Sequence, residues 1–356
     1  LFFDREEPQM TIAKAKTTIP MDAPQEMLSR ILSHLVDDHG MAFRAKGATG
    51  HVFEQDGYRV EFDLCPRGLE VSLQAPGENA MQFSKEGMVH HVAEFDPALA
   101  DRIRWQGITQ EAGATPQNFR LLTVLNSEIL FEGMQRVTLH YPDIAELAAQ
   151  GLHLRLILPR DLSRAPVWPV MGANGAPVWP KGADELHARY VTLKNIRAAR
   201  EEVDIDVVRH GSGLISQWAQ NAHAGQRIGA MGPVGISALP EASSYFLAAD
   251  GTGLPAVAQL LARLPEDAVG DVVAALPRGV SYRDYLPKTK LRVHALPPAA
   301  FEAEVLGHAQ ALTDDGLGYA FFAGEFQNAQ QLRGHFKTTL GMDKTRQICT
   351  AYWRRG

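Results

Sequence analysis

The sequence has little cysteine, and this excludes several kinds of metal chemistry. Only two of its 356 residues are cysteine, Cys65 and Cys349, and they lie far apart in the chain. They cannot form a four-cysteine iron–sulfur cluster within one chain, and no Cys/His spacing is that of a zinc finger. Redox chemistry would therefore need an organic cofactor or a single-site metal. Scarce cysteine is also typical of a reducing compartment, so we expect a cytoplasmic protein.

The sequence also lacks a long apolar run and an excess of positive charge. No stretch of about 18 apolar residues is present, so we expect no insertion into a membrane. The net charge of −6 provides no basic field for nucleic acid, which we do not expect as a partner. The hydrophobic fraction of 45% is that of a globular chain, long enough here for two or three domains.

Hydrophobic periodicity divides the chain into regions of different fold class. We predict a tail or cloning remnant over residues 1–9, a small α+β domain over 10–105, with helices at 23–39 and 79–95, and a linker over 106–118. Short strands separated by Gly/Pro turns predict an antiparallel β-barrel over 119–239. Buried strands that alternate with helices predict a Rossmann-like parallel α/β domain over 240–356.

A long proline-rich segment interrupts the predicted barrel. Residues 159–185 contain the sequence Pro-Val-Trp-Pro twice, at 166–169 and 177–180. Two copies are too few for a repeat architecture. We interpret the segment either as a lid or loop beside a cofactor, or as a purely structural proline loop.

The clearest local motif is Gly251-Thr-Gly-Leu-Pro-Ala256, which follows a buried strand and opens a helix. The Gly-x-Gly-x-x-Ala spacing is typical of a dinucleotide turn, because glycine permits a tight turn and a close approach of backbone to phosphate. The next buried strand ends at Leu276-Pro-Arg278, and no carboxylate follows until Asp284 to bind a ribose 2′-hydroxyl. This favours NADPH, with Arg278 facing the 2′-phosphate; the alternative is that Arg278 is a solvated loop residue.

A second set of residues could bind a diphosphate. Arg189-Tyr-Val-Thr192 lies on a predicted barrel strand, and the turn His210-Gly-Ser-Gly213 precedes a short helix that contains Ser216 and Trp218. Arginine forms bidentate contacts with phosphate, and the start of a helix adds backbone donors. Such spacing is also common in strands with a purely structural role.

The C-terminal strand end supplies a third candidate, Glu325. One interpretation is that its carboxylate reaches a nicotinamide. The alternative is that it is an acid at a helix N-terminus, where it interacts favourably with the helix dipole.

Together these motifs resemble the siderophore-interacting protein family, a branch of the ferredoxin-reductase-like flavoproteins. The resemblance covers about residues 119–356, and the segments that carry it occur in the family's order. They are Arg136-Val-Thr, Arg189-x-x-Thr192, Asp206-Val-Val-x-His210-Gly, Ser216-x-Trp218-Ala, Gly232-Pro-x-Gly235, Leu254-Pro-Ala, Ala323-Gly-Glu325 and Tyr352-Trp-Arg. Residues 10–105 resemble a small domain of unknown function that is sometimes fused ahead of such reductases.

The resemblance implies FAD in the barrel and NAD(P)H at the carboxyl edge of the sheet. It implies that Arg189 holds the FAD pyrophosphate, that Thr192 lies near the flavin ring, and that His210 and Ser216 bind the ribityl–diphosphate part. The other predicted FAD-site residues are Tyr190, Val191, Val208, Gly213 and Trp218. The predicted NAD(P)H-site residues are Gly251, Thr252, Gly253, Leu254, Arg278 and Glu325.

The strand motif departs from the family pattern Arg-x-Tyr-Thr. Val191 stands where the stacking tyrosine is usual, and Tyr190 is one residue away, on the other face of a regular strand. Either the flavin ring packs against Val191, or a local bulge brings Tyr190 round. Gly232-Pro-Val234-Gly also lacks the arginine that is common at its third position.

The implied activity is that of a ferric-siderophore reductase, which passes electrons from NAD(P)H through FAD to Fe(III) and releases Fe(II). Arg155, Arg354 and Arg355 are predicted to attract an anionic ferric chelate, each with the alternative of being a solvated surface charge. A ferredoxin is an alternative electron donor. The alternative functions are a flavin reductase or diaphorase with another acceptor, and a chelate-binding module whose flavin site has decayed.

The histidines do not predict a metal site of the protein's own. His34 with His39, and His90 with His91, lack the i, i+4 spacing that places two ligands on one face of a helix. We therefore expect these side chains to be surface or packing residues of the first domain.

Overall fold

A computed structural model describes residues 12–37, 41–55, 57–107, 110–211, 213–312 and 317–355. The chain divides into two compact units. The first contains the described residues up to Arg120 together with Leu158–His187, and the second contains Leu121–Ile157 together with the described residues from Ala188 onward. The predicted tail and His39 lie outside the described residues. Within these ranges no helix combines the length and apolar character needed to span a membrane.

The first unit is built on a six-stranded sheet with the strand order β2-β3-β4-β5-β1-β6. Its elements are β1 (Ile12–Pro20), α1 (Pro24–Asp37), β2 (Arg44–Lys46), β3 (Gly50–Gln55), β4 (Tyr58–Cys65), β5 (Gly68–Pro76), α2 (Glu78–Phe95), α3 (Pro97–Ala100) and β6 (Gln106–Gly107). The predicted α+β class is confirmed, and both predicted helices are present.

The strand β1 is missing from the sequence prediction, although it lies between β5 and β6. Its burial alternates strictly, with Ala13, Ala15, Thr17 and Ile19 on the buried side. Two of these four side chains are alanines, which give a weak hydrophobic signal. The alternation is nevertheless that of a half-buried strand.

The core of the first unit lies between this sheet and its two long helices. Ile31 of α1 and Val92 of α2 are fully buried with Phe62, Leu69 and Val71 of the sheet. Burial of these side chains supplies the main driving force for the unit's folding.

Both the predicted linker and the proline-rich segment make contacts within the first unit. Gln106 and Gly107 pair with β1, and the amide of Gly113 donates to the carbonyl of Met171 at 2.8 Å. In the proline-rich segment the short strands β10 (Val170–Met171) and β11 (Pro177–Val178) form a hairpin.

Side chains outside the proline-rich segment anchor the tip of that hairpin. Trp105 Nε1 donates to the carbonyl of Asn174, and Gln82 Nε2 donates to the carbonyl of Gly175, each at 2.9 Å. These contacts support the structural-loop interpretation of residues 159–185 rather than the lid interpretation.

The second unit begins with a closed six-stranded barrel in the order β12-β13-β8-β7-β14-β9. Its elements are β7 (Phe119–Phe131), β8 (Met134–His140), α4 (Ile144–Leu147), β9 (His153–Pro159), β12 (Leu186–Arg197), β13 (Glu202–Val208), α5 (Leu214–Asn221) and β14 (Arg227–Val234). The predicted antiparallel barrel is confirmed. Closure pairs every strand on both sides, so the barrel has no free edge.

The barrel is followed by a five-stranded parallel sheet in the order β17-β16-β15-β18-β19. Its elements are β15 (Tyr245–Ala249), α6 (Leu254–Leu261), β16 (Gly270–Ala275), α7 (Tyr282–Tyr285), β17 (Arg292–Leu296), α8 (Pro298–Gln310), β18 (Tyr319–Glu325), α9 (Phe326–Thr338) and β19 (Gln347–Trp353). Separate clusters of buried side chains cover the two faces of the sheet. This is the predicted Rossmann-like arrangement. The order in which the strands are added to the sheet changes direction between the neighbouring strands β15 and β18, and such folds bind ligands at this point.

Candidate functional site

The first half of β12 carries two exposed side chains, Arg189 and Tyr190. Tyr190 is 58% exposed, and it is the only aromatic residue among the large exposed hydrophobic side chains of the described ranges. Arg155 of β9 donates from its guanidinium to the Tyr190 hydroxyl at 3.3 Å and lies 5.6 Å from the ring centroid. Arg189 is also exposed, so the strict alternation expected for this strand fails here, and Val191 is half-buried. The strand therefore presents a cation and an aromatic ring side by side.

Thr192 begins a hydrogen-bonded chain that joins the barrel to the parallel sheet. The Thr192 hydroxyl lies 3.4 Å from Nδ1 of His153 on β9. The other ring nitrogen, Nε2, lies 3.2 Å from the hydroxyl of Tyr352 on β19. Because His153 can donate through only one nitrogen when neutral, it connects a donor on one side to an acceptor on the other.

Burial determines the protonation states in this chain. It lowers the pKa of His153 from 6.5 to about 4, because the charged imidazolium would lose its hydration. Burial, together with the negative charge of Asp250, raises the pKa of Tyr352 well above its usual value. At neutral pH the chain therefore consists of a neutral imidazole between two hydroxyl groups.

The turn before α5 is held together by Ser216. Its hydroxyl accepts from the amide of His210 at 2.9 Å and donates to the His210 carbonyl at 3.1 Å. Gly213 has φ of +101°, and a Cβ there would lie 2.6 Å from Cε1 of the His210 ring. Ser216 is predicted to bind the cofactor, and in the structure its hydroxyl fixes the conformation of the loop through these two hydrogen bonds. The His210 side chain is exposed.

A cavity of about 730 Å³ lies against this turn and α5. The residues that line it are Glu132, Gly133, Arg209, His210, Gly211, Gln217, Gln220 and Asn221. They offer one cation and several amide donors, a set suited to a phosphate or a nucleobase. The cavity does not extend to Arg189 or Thr192. Close by in sequence, the fully buried Trp218 has an indole Nε1 without a hydrogen-bond partner among the described atoms.

The Gly251–Leu254 turn is organised by the carboxylate of Asp250. Its Oδ1 accepts from the amide and hydroxyl of Thr252 at 2.8 and 2.6 Å, and from the amide of Gly253 at 3.3 Å. Gly253 is required for packing, because a Cβ there would lie 2.2 Å from the carbonyl oxygen of Ala323. Leu254 is fully buried at the start of α6. The predicted strand–turn–helix context of the motif is therefore present.

The two predicted cofactor regions adjoin. A Cβ on Gly251 would lie 3.3 Å from Cγ2 of Val208, which ends the barrel strand β13. On the other side of the turn, Asp250 Oδ2 accepts from Trp353 Nε1 at 2.7 Å. The Gly251–Leu254 turn therefore lies between the end of β13 and the C-terminal strand.

Glu325 acts as the N-cap of α9. Its Oε2 accepts from the amides of Gln327 at 2.5 Å and Asn328 at 3.4 Å, and its Oε1 accepts from the amide of Arg355. Burial by itself would raise the pKa of Glu325, but these hydrogen bonds outweigh it and lower the pKa. These contacts support the interpretation of Glu325 as an acid at a helix N-terminus. They engage both of its carboxylate oxygens.

The remaining predicted cations differ in how strongly they are held. Arg278 is exposed after β16, at the carboxyl edge of the sheet. Arg354 is exposed and stacks over the Phe326 ring, with its guanidinium carbon 3.7 Å from the centroid. Arg355 forms an ion pair with Glu302 at 2.5 Å, so part of its guanidinium is already engaged.

A buried ionic group fastens the barrel to the parallel sheet. Asp206 of β13 accepts from Arg136 in bidentate geometry at 2.8 and 2.9 Å and from the hydroxyl of Tyr285 at 2.8 Å. Lys194 of β12 donates to the Tyr285 carbonyl at 3.2 Å and lies 3.7 Å from Asp206. Burial lowers the pKa of Lys194 to about 8.

Sequence reasoning did not assign roles to His153, Asp250, Tyr285 or Lys194. Asp250 directly precedes the Gly251–Ala256 motif and Tyr352 belongs to the Tyr352-Trp-Arg segment, so a local signal marks both positions. His153 and Tyr285 lie in segments with no motif, and only the fold reveals their contacts.

The fold and the site define a class of protein. A barrel with an exposed Arg-Tyr pair, followed by a parallel sheet with a Gly-x-Gly turn at its carboxyl edge, is the architecture of flavin-dependent, nicotinamide-dependent oxidoreductases. Two adjacent family models match this part of the chain. "Siderophore-interacting FAD-binding domain" covers residues 123–237, and "Siderophore-interacting protein" covers residues 242–356. The protein belongs to the siderophore-interacting protein family and is an FAD-dependent oxidoreductase.

Relatives of known name agree with this assignment. The chain is 29% identical over 250 residues to the NADPH-dependent ferric-chelate reductase of Escherichia coli. The matched region covers 66% of this chain and 92% of that protein. It is 26% identical over 249 residues to ferric vibriobactin reductase ViuB of Vibrio cholerae, covering 67% and 90%. The crystal structure of the siderophore-interacting protein SipS of Aeromonas hydrophila superposes with a TM-score of 0.57 and 26% identity, covering 68% and 94%.

Proposed function

We propose that this protein is a ferric-siderophore reductase, in which NADPH supplies electrons through FAD to Fe(III) and Fe(II) is released from the chelate. The observation that carries the proposal is the contact between the two cofactor regions. The flavin-side residue Thr192 is linked through His153 to Tyr352 at the sheet's carboxyl edge. A hydride donor on the sheet and an acceptor on the barrel would meet at this contact.

The residues of the barrel fit FAD. The exposed ring of Tyr190 offers a surface for a planar group, and Arg189 and the amides at the start of α5 suit a diphosphate. Arg209 and His210 line a cavity large enough for part of a nucleotide. When bound, FAD supplies the conversion of one hydride into two single-electron steps, which serve two ferric ions.

The Gly251–Leu254 turn is our proposed site for the nicotinamide nucleotide. The positive end of the α6 dipole favours a pyrophosphate at this turn, and the absence of side chains at Gly251 and Gly253 permits a close approach of the ligand to the backbone. Arg278 is the proposed partner of the 2′-phosphate, which is the group that distinguishes NADPH. The name of the Escherichia coli relative supports this preference.

His153 is our candidate for holding a proton near the flavin. Because its imidazole is neutral at pH 7, it can accept a proton at one nitrogen while it donates from the other. Tyr352 and Thr192 lie at its two ends, so the imidazole connects the two hydroxyl groups through existing hydrogen bonds.

We propose that Arg155 and Arg354 attract the ferric chelate, which is often anionic. Both guanidinium groups lie over aromatic rings, Arg155 over Tyr190 and Arg354 over Phe326, and their positive charges would attract an anionic chelate. Electron transfer needs only contact between chelate and flavin edge, so no iron ligand from this part of the protein is required.

A stepwise anaerobic experiment tests the proposed function. Protein loaded with FAD is mixed with excess NADPH while the visible flavin absorption is followed, and a ferric siderophore is then added. Loss of the absorption band followed by its return on adding the chelate is the expected result. Loss without return would leave a flavin reductase or diaphorase with another acceptor. Reduced ferredoxin in place of NADPH tests the alternative donor.

We also propose that the reaction takes place in the cytoplasm. Both cysteines are free, Cys65 half-buried and Cys349 buried, which suits a reducing compartment. Fractionation of cells that express the tagged full-length protein tests the location.

A further inference from the structure

Two helices of the first unit bring together three side chains of metal-ligating type. Nε2 of His34, on α1, lies 3.1 Å from Nδ1 of His91 and 3.1 Å from Oε2 of Glu94, both on α2. The three atoms all lie within 4.8 Å of one another, and this is the one group of its kind found in the described part of the chain. The sequence predicts that these histidines are surface or packing residues, because they lack the i, i+4 spacing within one helix. The group found here is formed across two helices.

The distances are those of a ligand set. Metal–ligand bonds to imidazole and carboxylate are about 2.0–2.2 Å, so neighbouring ligand atoms around one ion lie about 3.0–3.5 Å apart. Two of the three pairs already meet this distance. His34 and Glu94 are partly accessible, with side chains 16% and 38% exposed, so an ion can enter from solvent.

Neighbouring side chains orient the ligands. Nε2 of His90 lies 3.1 Å from Oε1 of Glu94, the oxygen that faces away from His34. The Phe95 ring packs edge-on against the His34 ring at 5.8 Å between centroids. Such outer contacts fix the rotamers of metal ligands in known sites.

The chemistry of the three groups also suits an ion. His34 Nε2 and His91 Nδ1 can coordinate when they are unprotonated, and Glu94 contributes a carboxylate oxygen. A cation placed among the three atoms would be bound by all of them.

We propose that His34, His91 and Glu94 bind one divalent transition-metal ion. Two imidazoles and one carboxylate suit Zn²⁺, Co²⁺ and Fe²⁺, and leave further coordination positions open. Of these ions, Fe²⁺ would be the product of the reductase; the choice of Fe²⁺ rests on the proposed function, and the site itself does not.

Titration of the full-length protein with Co²⁺ tests the site directly, because protein-bound Co²⁺ has visible d–d absorption bands. We expect bands that saturate at one ion per chain. His34→Ala and the isosteric Glu94→Gln should each weaken Co²⁺ binding by about a hundredfold or more. His223→Ala, which changes an exposed histidine of the barrel, is the matched control and should bind as the parent does.

Circular dichroism and thermal unfolding verify that each variant is folded, and Glu94→Gln keeps the shape of the site if His34→Ala does not fold. Equal Co²⁺ binding by Glu94→Gln and the parent would overturn the proposal. An equal loss in His223→Ala would also overturn it, since binding would then be a property of surface histidines in general.

Equilibrium dialysis against added Fe²⁺ under anaerobic conditions tests the ion that the reductase would release. Fe²⁺ should be retained by the parent and by His223→Ala and lost by His34→Ala. Because the ion is supplied directly, the result does not depend on reductase activity. Normal chelate reduction without Fe²⁺ retention would overturn the assignment of Fe²⁺ and leave the reductase function standing.

Discussion

Val191 and Tyr190 differ in how each could contact a flavin. Val191 is half-buried and aliphatic, whereas Tyr190 is exposed and stacked with Arg155. Tyr190 is the stronger candidate for stacking on a flavin, because its ring is exposed where the alternation of burial along β12 is irregular.

Substitution at these adjacent positions should separate the two possibilities. Tyr190→Ala should weaken FAD binding by about 1 kcal/mol, roughly fivefold, because an aromatic stacking contact is lost. Fluorescence titration with FAD measures the dissociation constant. Val191→Ala is the matched change and should have a smaller effect. The opposite order of effects would assign the flavin contact to Val191.

His153 should give the protein a measurable sensitivity to acid. Its pKa in the folded state is about 4 against 6.5 in the unfolded chain, so between these values the unfolded state binds more protons. Folding stability must therefore fall as pH falls through this window, and the loss is absent above it.

Replacement of His153 by glutamine should reduce that sensitivity. Between about pH 7 and pH 5.5, the parent should lose about 1 kcal/mol more unfolding free energy than His153→Gln. Denaturant unfolding of the second unit, followed by its tryptophan fluorescence, supplies the values. His223→Gln should behave like the parent. An identical loss in the parent and His153→Gln would mean that His153 titrates at its ordinary pKa.

At the scale of elements, the turn between β15 and α6 depends on a close approach to β18. Gly253 lies against the carbonyl of Ala323, and Asp250 satisfies the amides of the turn. The strand, the turn and the helix thus form one packed group at the carboxyl edge of the sheet.

Gly253→Ala should therefore destabilise the sheet domain by roughly 2–3 kcal/mol and weaken NADPH binding, because the new Cβ would overlap backbone that cannot move freely. Thermal unfolding and NADPH titration measure the two effects. Gly307→Ala in α8 is the control: a Cβ there meets nothing within 4 Å, and we expect neutral or slightly higher stability. Equal behaviour of the two variants would contradict the packing argument.

At the scale of the whole reductase part, Asp206 connects the barrel to the parallel sheet. It compensates the half-buried Arg136 and the buried Lys194, and it accepts a hydrogen bond from the Tyr285 hydroxyl of the sheet domain. The group contributes to stability only when all of its members are present, because removal of one member leaves charges without a partner.

Asp206→Asn should cost about 3 kcal/mol of stability, since an amide cannot compensate the charges of the half-buried Arg136 and the buried Lys194. Tyr285→Phe should cost only about 1 kcal/mol, the net contribution of one hydrogen bond. Denaturant unfolding monitored by bound FAD and by circular dichroism compares the two variants. A larger loss in Tyr285→Phe than in Asp206→Asn would show that ring packing, not charge compensation, fastens the domains.

The sequence by itself determined the fold classes, the order of the three regions and the segments that match the family. These properties depend on contiguous residues: periodicities of 2 and 3.6, glycine spacing and strand–helix alternation. The helices α1 and α2, the barrel and the Gly251 turn are all present as predicted. The strand β1 was not predicted, because the alanines on its buried side weaken the hydrophobic signal.

Only the tertiary structure decided which distant side chains meet. His153 and Tyr352 are 199 residues apart, and His34 and His91 are 57 apart. Neither pair belongs to one element, so no local spacing records the contact. Chain packing brings these groups together, and the burial that accompanies packing sets the pKa of His153, which no property of the isolated residue could reveal.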